Sequence, residues 1–248
     1  HDVTSPAIFV RFPVTEVGMP AIAGADIVIW TTTPWTMPGN RAIAYGEDVE
    51  YAVYEVVEAQ DGAQAKPGDR IVLATALESA VAEKAKLYLQ RKDVFAGHAL
   101  AGTRARHPLA GDHYTFDVPL LPADFVAIDQ GSGFVHIAPG HGADDYELGR
   151  VHDIPAPSTV DDDGCFLDSV PLFAGKHVYK VNPEIIATLA DYGTLLGAES
   201  YLHSYPHSWR SKKPVIFRNT PQWFISMETN NLREVALTAI DETHWVPA

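Results

Sequence analysis

Hydrophobic alternation along this chain is short-ranged and often interrupted. Residues 6–14, PAIFVRFPV, put Ile8, Val10 and Phe12 on one face with period two, which predicts a strand. Ile27 to Thr33 is continuous and β-branched, the pattern of a strand buried on both faces. Further strands are predicted at Val49–Val57, Arg70–Thr75 and residues 98–105, 113–119, 124–129 and 133–138. Helical spacing is confined to Leu77–Leu89, Asp144–Val151, Pro183–Tyr192 and Asn231–Ile240, with Asn182 able to cap the third. Pro34, Pro38 and Gly39 in TTTPWTMPGN are expected to stop regular structure after the second strand, and turn signals mark Gln60–Asp69 as a loop. From Tyr201 to Phe224 the chain is rich in Tyr, Trp and Pro and has little helical period. Many short strands with few helices predict a mainly β fold (α+β), with a closed barrel-like core and helical decorations. Strands and helices do not alternate regularly, which disfavours a doubly wound parallel sheet.

Composition narrows the picture. A length of 248 residues suffices for a sizeable core, and 18 prolines with 18 glycines fit many turns. No apolar run approaches the roughly 20 residues needed to cross a bilayer, so no membrane partner is expected. The start at His1-Asp2 rather than Met points to a fragment. Cys165 is the only cysteine, which excludes an internal disulfide and a cysteine-rich zinc site and fits a reducing, cytoplasmic setting. The formal charge of −14 argues against broad binding to nucleic acid, which needs many cationic contacts to phosphate. A local contact stays open. Basic residues gather at Arg104 with Arg106, and again at Arg210, Lys212, Lys213 and Arg218, and on charge alone they read as solvated surface.

Candidate chemistry gathers in two stretches. Thr31, Thr32 and Thr33 end the second strand and enter a Pro-Trp turn. Threonine hydroxyls are no bases near neutral pH, but they can hold a water or an ester carbonyl; residue type alone equally fits β-formers bonded to nearby backbone. Trp35 and Thr36 are expected on the rim of such a pocket, and Asn40 could bond a sugar or base edge. The second stretch, GSGFVHIAPGHGADDY over Gly131–Tyr146, runs strand, glycine turn, helix start, where backbone can approach a ligand closely. His136 reads either as a core histidine with one satisfied nitrogen or as a pocket residue. His141 with Asp144 and Asp145 invites a metal reading, but the spacing is wrong for helical ligation and no second ligand-rich motif supports it. His203 and His207 are four apart, with Pro206 between them disfavouring the helix that would align them. No Ser-His-Asp order, phosphate loop or dinucleotide fingerprint occurs. What remains is a pocket of hydroxyls, one imidazole and one carboxylate.

The strings WTTTPWTMPGNRAI (Trp30–Ile43), GSGFVHIAPGHGADDYELG (Gly131–Gly149) and HSYPHSWRSKKPVIFRNTPQWFI (His203–Ile225) resemble the isoleucyl-tRNA synthetase family. The likeness is to the editing domain inserted in that family's catalytic core, with the segment that returns to the core. It covers essentially the whole chain, with the motifs in family order. Valine and leucine relatives usually carry Arg within the matching threonine stretch and lack PWT; Ser132 stands where Thr is usual. The resemblance implies a barrel-centred editing domain over residues 1–200 and a return segment over 201–248. It also implies hydrolysis of valine wrongly esterified to isoleucine tRNA. Thr31, Thr32 and Thr33 would line the aminoacyl pocket, with Thr32 and Thr33 at the chemistry and Thr33 nearest the ester. Trp35, Thr36 and Asn40 would seat the terminal adenosine or shape the pocket. His136 would exclude the isoleucyl side chain, and Asp145 would bind the α-amino group. Implied partners are isoleucine tRNA carrying valine on its 3′-terminal adenosine and the rest of the synthetase chain. HIGH-type and KMSKS-type motifs are absent, so ATP and magnesium would belong to the missing ligase core, and editing would need no cofactor. The rival readings are a non-catalytic module for the tRNA 3′ end, stacking on Trp30, Trp35 and Trp209, an editing domain of a valine or leucine relative, and a metal-dependent hydrolase.

Overall fold

A computed structural model describes residues 1–111 and 113–246. Its strands are β1 (Asp2–Glu16), β2 (Asp26–Thr31), β3 (Ala42–Tyr45), β4 (Glu50–Ala59), β5 (Arg70–Ala74), β6 (Leu87–Ala96), β7 (Arg104–Arg106), β8 (Asp117–Pro122), β9 (Phe134–Ile137) and β10 (Leu195–Ser204). Helices are α1 (Glu78–Ala85), α2 (Ala143–Val151), α3 (Val178–Asp191) and α4 (Leu232–Glu242). Pairing runs β1-β7-β8-β3-β9-β2 and returns to β1, so six strands close a barrel. The long β1 makes this closure possible. Ile8–Pro13 pair with β2, while Asp2–Val10 pair with β10 and Val14–Glu16 with β7. On its far edge β2 likewise passes from β5 at Asp26 and Ile27 to β9 at Trp30. Beyond the barrel, β5, β4 and β6 extend the sheet.

The core follows from alternation and burial. Ile27, Val28 and Ile29 of β2 are all fully buried, as their unbroken apolar run requires. In β3, Ile43 and Tyr45 join the main core, while Ala42 and Ala44 face a small second cluster with Ile137 of β9 and Leu121 of β8. Leu148 of α2 and Ile154 just beyond it pack on that second cluster. This seats α2 against the outer face of β3 and β9 and fixes where its first turn lies.

Several elements depart from the sequence expectations. The helix predicted to reach Leu89 ends at Ala85, because Lys86 turns left-handed (φ 60°), and Leu87 opens β6. Residues 97–100 form a 3₁₀ turn and leave only Arg104–Arg106 as strand, while residues 124–129 hold no strand at all. The third helix begins at Val178, capped by the His177 side chain accepting from Tyr179 N. Asn182 is therefore interior to it, and the buried set Val178, Val181, Ile185, Leu189 shows the period extending back past Pro183. Pro34–Gly39 were expected to lack regular structure but form a fully buried 3₁₀ helix, with Pro34 in its first turn, where a missing N–H costs nothing.

Candidate functional site

Thr31 closes β2, Thr32 bends the chain, and Thr33 precedes the 3₁₀ helix. Thr33 N donates to Thr31 Oγ1 (3.1 Å), which fixes the corner. Within that helix Thr36 Oγ1 donates to the Thr33 carbonyl (2.8 Å) and lies 3.0 Å from His136 Nε2. His136 sits on β9, paired across the sheet with Ile43. Its other nitrogen, Nδ1, lies 2.7 Å from Asn40 Nδ2, whose second hydrogen goes to the Ala42 carbonyl (2.9 Å). An amide nitrogen only donates, so Nδ1 accepts and the imidazole proton resides on Nε2, pointing at Thr36. Both nitrogens are engaged, where the sequence reading allowed a core histidine only one. Burial, with His141 adding to it, holds His136 down to about 3, so the ring is neutral at physiological pH.

The carboxylate stands on the other side. Gly142 caps α2 without a side chain, and Asp145 follows in the first turn, where the helix dipole favours negative charge. Asp145 Oδ2 accepts from Ala138 N (2.7 Å), reaching back across the glycine turn to the end of β9. A Cβ on Gly142 would come within 3.0 Å of the Asp145 carboxyl carbon, so glycine keeps that space open. Burial raises Asp145 to about 6, outweighing the bond from Ala138. No cation pairs with it among the described residues.

Two cavities meet at this corner. One, of about 210 Å³, is bounded by Thr31, Thr33, Trp35, Thr36, His136 and Asp145, with Tyr205 and Phe217 completing it. The other, of about 270 Å³, is bounded by Trp30, Thr31, Thr32, Gln130, His136 and the Gly131–Gly133 turn. Thr31 and His136 are shared. The bend at Thr32 thus divides the three threonines, which the sequence reading had put in one pocket. Trp35 and Thr36, expected on the rim, are 5% and 7% exposed and form wall instead. Asn40 is fully buried and meets the cavity only through His136, so it has no direct reach to a sugar or base edge. Tyr205 and Phe217 were missed; their aromatic, proline-rich stretch gave no periodicity to place them. Among the described residues no cluster of His, Cys, Asp and Glu gathers to hold a metal, and no helix is long and apolar enough to cross a membrane.

The fold is that of the editing domains of aminoacyl-tRNA synthetases. The chain superposes on the editing domain of the P. falciparum cytosolic leucyl-tRNA synthetase with a TM-score of 0.60 at 9% identity, covering 81% of this chain and 99% of that one. The P. knowlesi counterpart gives 0.59 at 10% identity, covering 82% and 98%. By sequence the chain is homologous along its whole length to isoleucine–tRNA ligases. It is 46% identical over 272 residues to that of Caulobacter vibrioides and 44% identical over 277 residues to that of Bradyrhizobium diazoefficiens. All of this chain is covered, and it spans 28% of the length of each of these curated relatives. No family model matches the chain.

Proposed function

We propose that this chain hydrolyses valine wrongly esterified to isoleucine tRNA and spares the isoleucyl ester. The observation that carries the reading is a single small cavity with a carboxylate, Asp145, that pairs with no cation among the described residues, and a neutral, doubly bonded imidazole, His136, in its wall. A carboxylate already stripped of much of its water is a ready partner for the α-ammonium of an aminoacyl ester. An imidazole locked by Asn40 and Thr36 is a fixed barrier to one more methylene.

Such a site answers a physical limit. A pocket that accepts isoleucine rejects valine by only about 1–3 kcal/mol, a general figure for which isoleucine against valine is the standard case. A second pocket that admits only the smaller side chain corrects the error. In the proposal residues 1–200 supply most of the pocket, and 201–248 lead back toward a ligase core while adding Tyr205 and Phe217 to the pocket's lining. The adjoining cavity, lined by Gln130 and the Gly131–Gly133 turn, with the buried Trp30 indole N–H lacking a partner among the described residues, suits the terminal adenosine.

The chemistry is addition of water to the ester carbonyl, breaking the bond to the tRNA hydroxyl and releasing valine. His136 has no free lone pair to take the water's proton, and Asp145 is committed to the ammonium. The Thr33 hydroxyl makes no hydrogen bond among the described residues and is free to orient the water or the carbonyl, with Thr31 and Thr32 lining the approach. Positioning of this kind supplies several kcal/mol, roughly 7–11 at its upper reach. The test is deacylation of valyl-tRNA by this chain and by Asp145→Ala. The proposal expects turnover by the first and near-complete loss in a folded second; full activity in the variant refutes the role of Asp145. Binding without turnover by the parent chain would favour a tRNA-end module instead.

A further inference from the structure

One side of the cavity comes from neither the threonine corner nor β9. Tyr205 and Phe217 line it beside Asp145, from a stretch without regular strand or helix that is closed on itself by the bridge His207–Pro214. Their rings meet edge to face, centroids 6.3 Å apart at 78°. Tyr205 Oη donates to the Val215 carbonyl at 3.2 Å, bracing one ring against the return of the loop.

The stretch is tied down at the glycine turn. Asn219 N donates to the Gly140 carbonyl (2.8 Å), Asn219 Nδ2 donates to the Ala156 carbonyl (2.6 Å), and Arg218 pairs with Asp162. His141 Nδ1 lies 2.9 Å from the Phe217 carbonyl, and its Nε2 lies 2.6 Å from Thr159 Oγ1. A carbonyl only accepts, so Nδ1 carries the proton and Nε2 accepts from the Thr159 hydroxyl. The imidazole also meets Trp35 edge-on, centroids 5.0 Å apart. His141 therefore joins the 3₁₀ wall to the backbone of Phe217.

Phe217 is nonetheless 49% exposed. The backbone of Phe217 is held, and the residue shares the cavity's lining with a carboxylate that pairs with no cation among the described residues. A cation near aromatic faces is attracted by their quadrupoles, most strongly where water is displaced. We propose that Phe217 and Tyr205 form the aromatic side of the ammonium subsite whose anionic side is Asp145, and that His141 is the positioning residue holding Phe217 there. The inference rests on the editing reading above and adds the second half of its amine recognition.

Steady-state deacylation of valyl-tRNA by the 248-residue chain tests it, comparing Phe217→Ala, Phe217→Leu, Phe217→Tyr and His141→Ala. The expected result for Phe217→Ala is a KM raised about tenfold with kcat within about twofold. Phe217→Tyr restores KM and Phe217→Leu does not, since leucine replaces the bulk without the π face. His141→Ala raises KM similarly, and the double variant with Phe217→Ala adds nothing further, as for residues acting through one contact. A Phe217→Leu enzyme equal to the parent assigns the ring to packing and overturns the inference. Unchanged KM in both alanine variants does the same while leaving the editing reading intact. A parent chain that fails to hydrolyse valyl-tRNA sinks that reading and this inference with it.

Discussion

The two sides of the cavity are built differently. On the barrel side, Asn40, Thr36 and His136 are 0%, 7% and 8% exposed and are joined in one hydrogen-bonded run to the Thr33 carbonyl. On the helix side, Asp145 is half-buried and held by one bond to Ala138, and Phe217 is half open to solvent. A surface that measures bulk must not yield, and close-packed interiors resist deformation. A surface that captures charge must be reachable before the ligand arrives and dry afterwards. The barrel supplies the first property, and a helix start with an aromatic loop supplies the second. Size selection and amine capture should therefore fail separately.

The largest effect is expected on the charged side. Asp145→Ala should lower kcat/KM for valyl-tRNA by about 100-fold or more, since truncating one partner of a desolvated charge pair typically costs about 2–5 kcal/mol. Its melting temperature should change little at neutral pH, because the lost carboxylate was itself poorly solvated. Equal loss on deaminated and ordinary substrate would break the assignment.

On the barrel side the expected effect is smaller and of another kind. Asn40→Ala removes the donor to His136 Nδ1 and leaves that nitrogen and the Ala42 carbonyl without their partner. Unsatisfied buried groups cost about 1–3 kcal/mol, read as a drop in the denaturation midpoint. Activity on valyl-tRNA should largely persist while protection of isoleucyl-tRNA weakens. A variant with intact protection would show that Asn40 does not hold the wall.

The pH response sharpens the contrast further. Asp145 is raised to about 6 by burial, against about 4 in the unfolded chain. Between those values the folded state keeps a proton on this group that the unfolded state has lost, so the contribution of Asp145 to stability falls as pH rises through the window and is level above it. For binding the sign is reversed, because only the ionised carboxylate pairs with an ammonium. The ratio kcat/KM should therefore fall as pH drops below about 6, and Asp145→Asn should abolish that fall and remove this carboxyl's own share of the stability slope. His136, held near 3 by burial against about 6.5 unfolded, stays neutral in the site there and adds a stability slope of the opposite sign, because only the unfolded chain takes up its proton.

Much of the sheet was legible because β1 alternates and β2 runs apolar throughout, with β4, β5 and β9 also expected from local pattern, and the turn into α2 is spelled out by its glycines. The candidate residues were legible as types but not as an arrangement. Nothing in TTT tells that Thr32 bends toward a second cavity, since that cavity is completed by Gln130 and the Gly131–Gly133 turn, far away in sequence. The Asn40–His136 contact spans 96 residues, and no local pattern encodes it. β3, at four residues, is too short to show alternation, and it borrows its strand geometry from β8 and β9. Tyr205 and Phe217 reach the site because loop residues Gly140, Ala156 and Asp162 receive the stretch that carries them. Composition alone described that stretch as an aromatic tail.

The claim that one wall measures the side chain is tested most directly by the ratio of valyl-tRNA to isoleucyl-tRNA hydrolysis in the parent chain and in His136→Ala. The account predicts a high ratio in the parent and a ratio near one in the variant, reached by a gain of isoleucyl hydrolysis. A variant that still spares isoleucyl-tRNA while hydrolysing valyl-tRNA would contradict it.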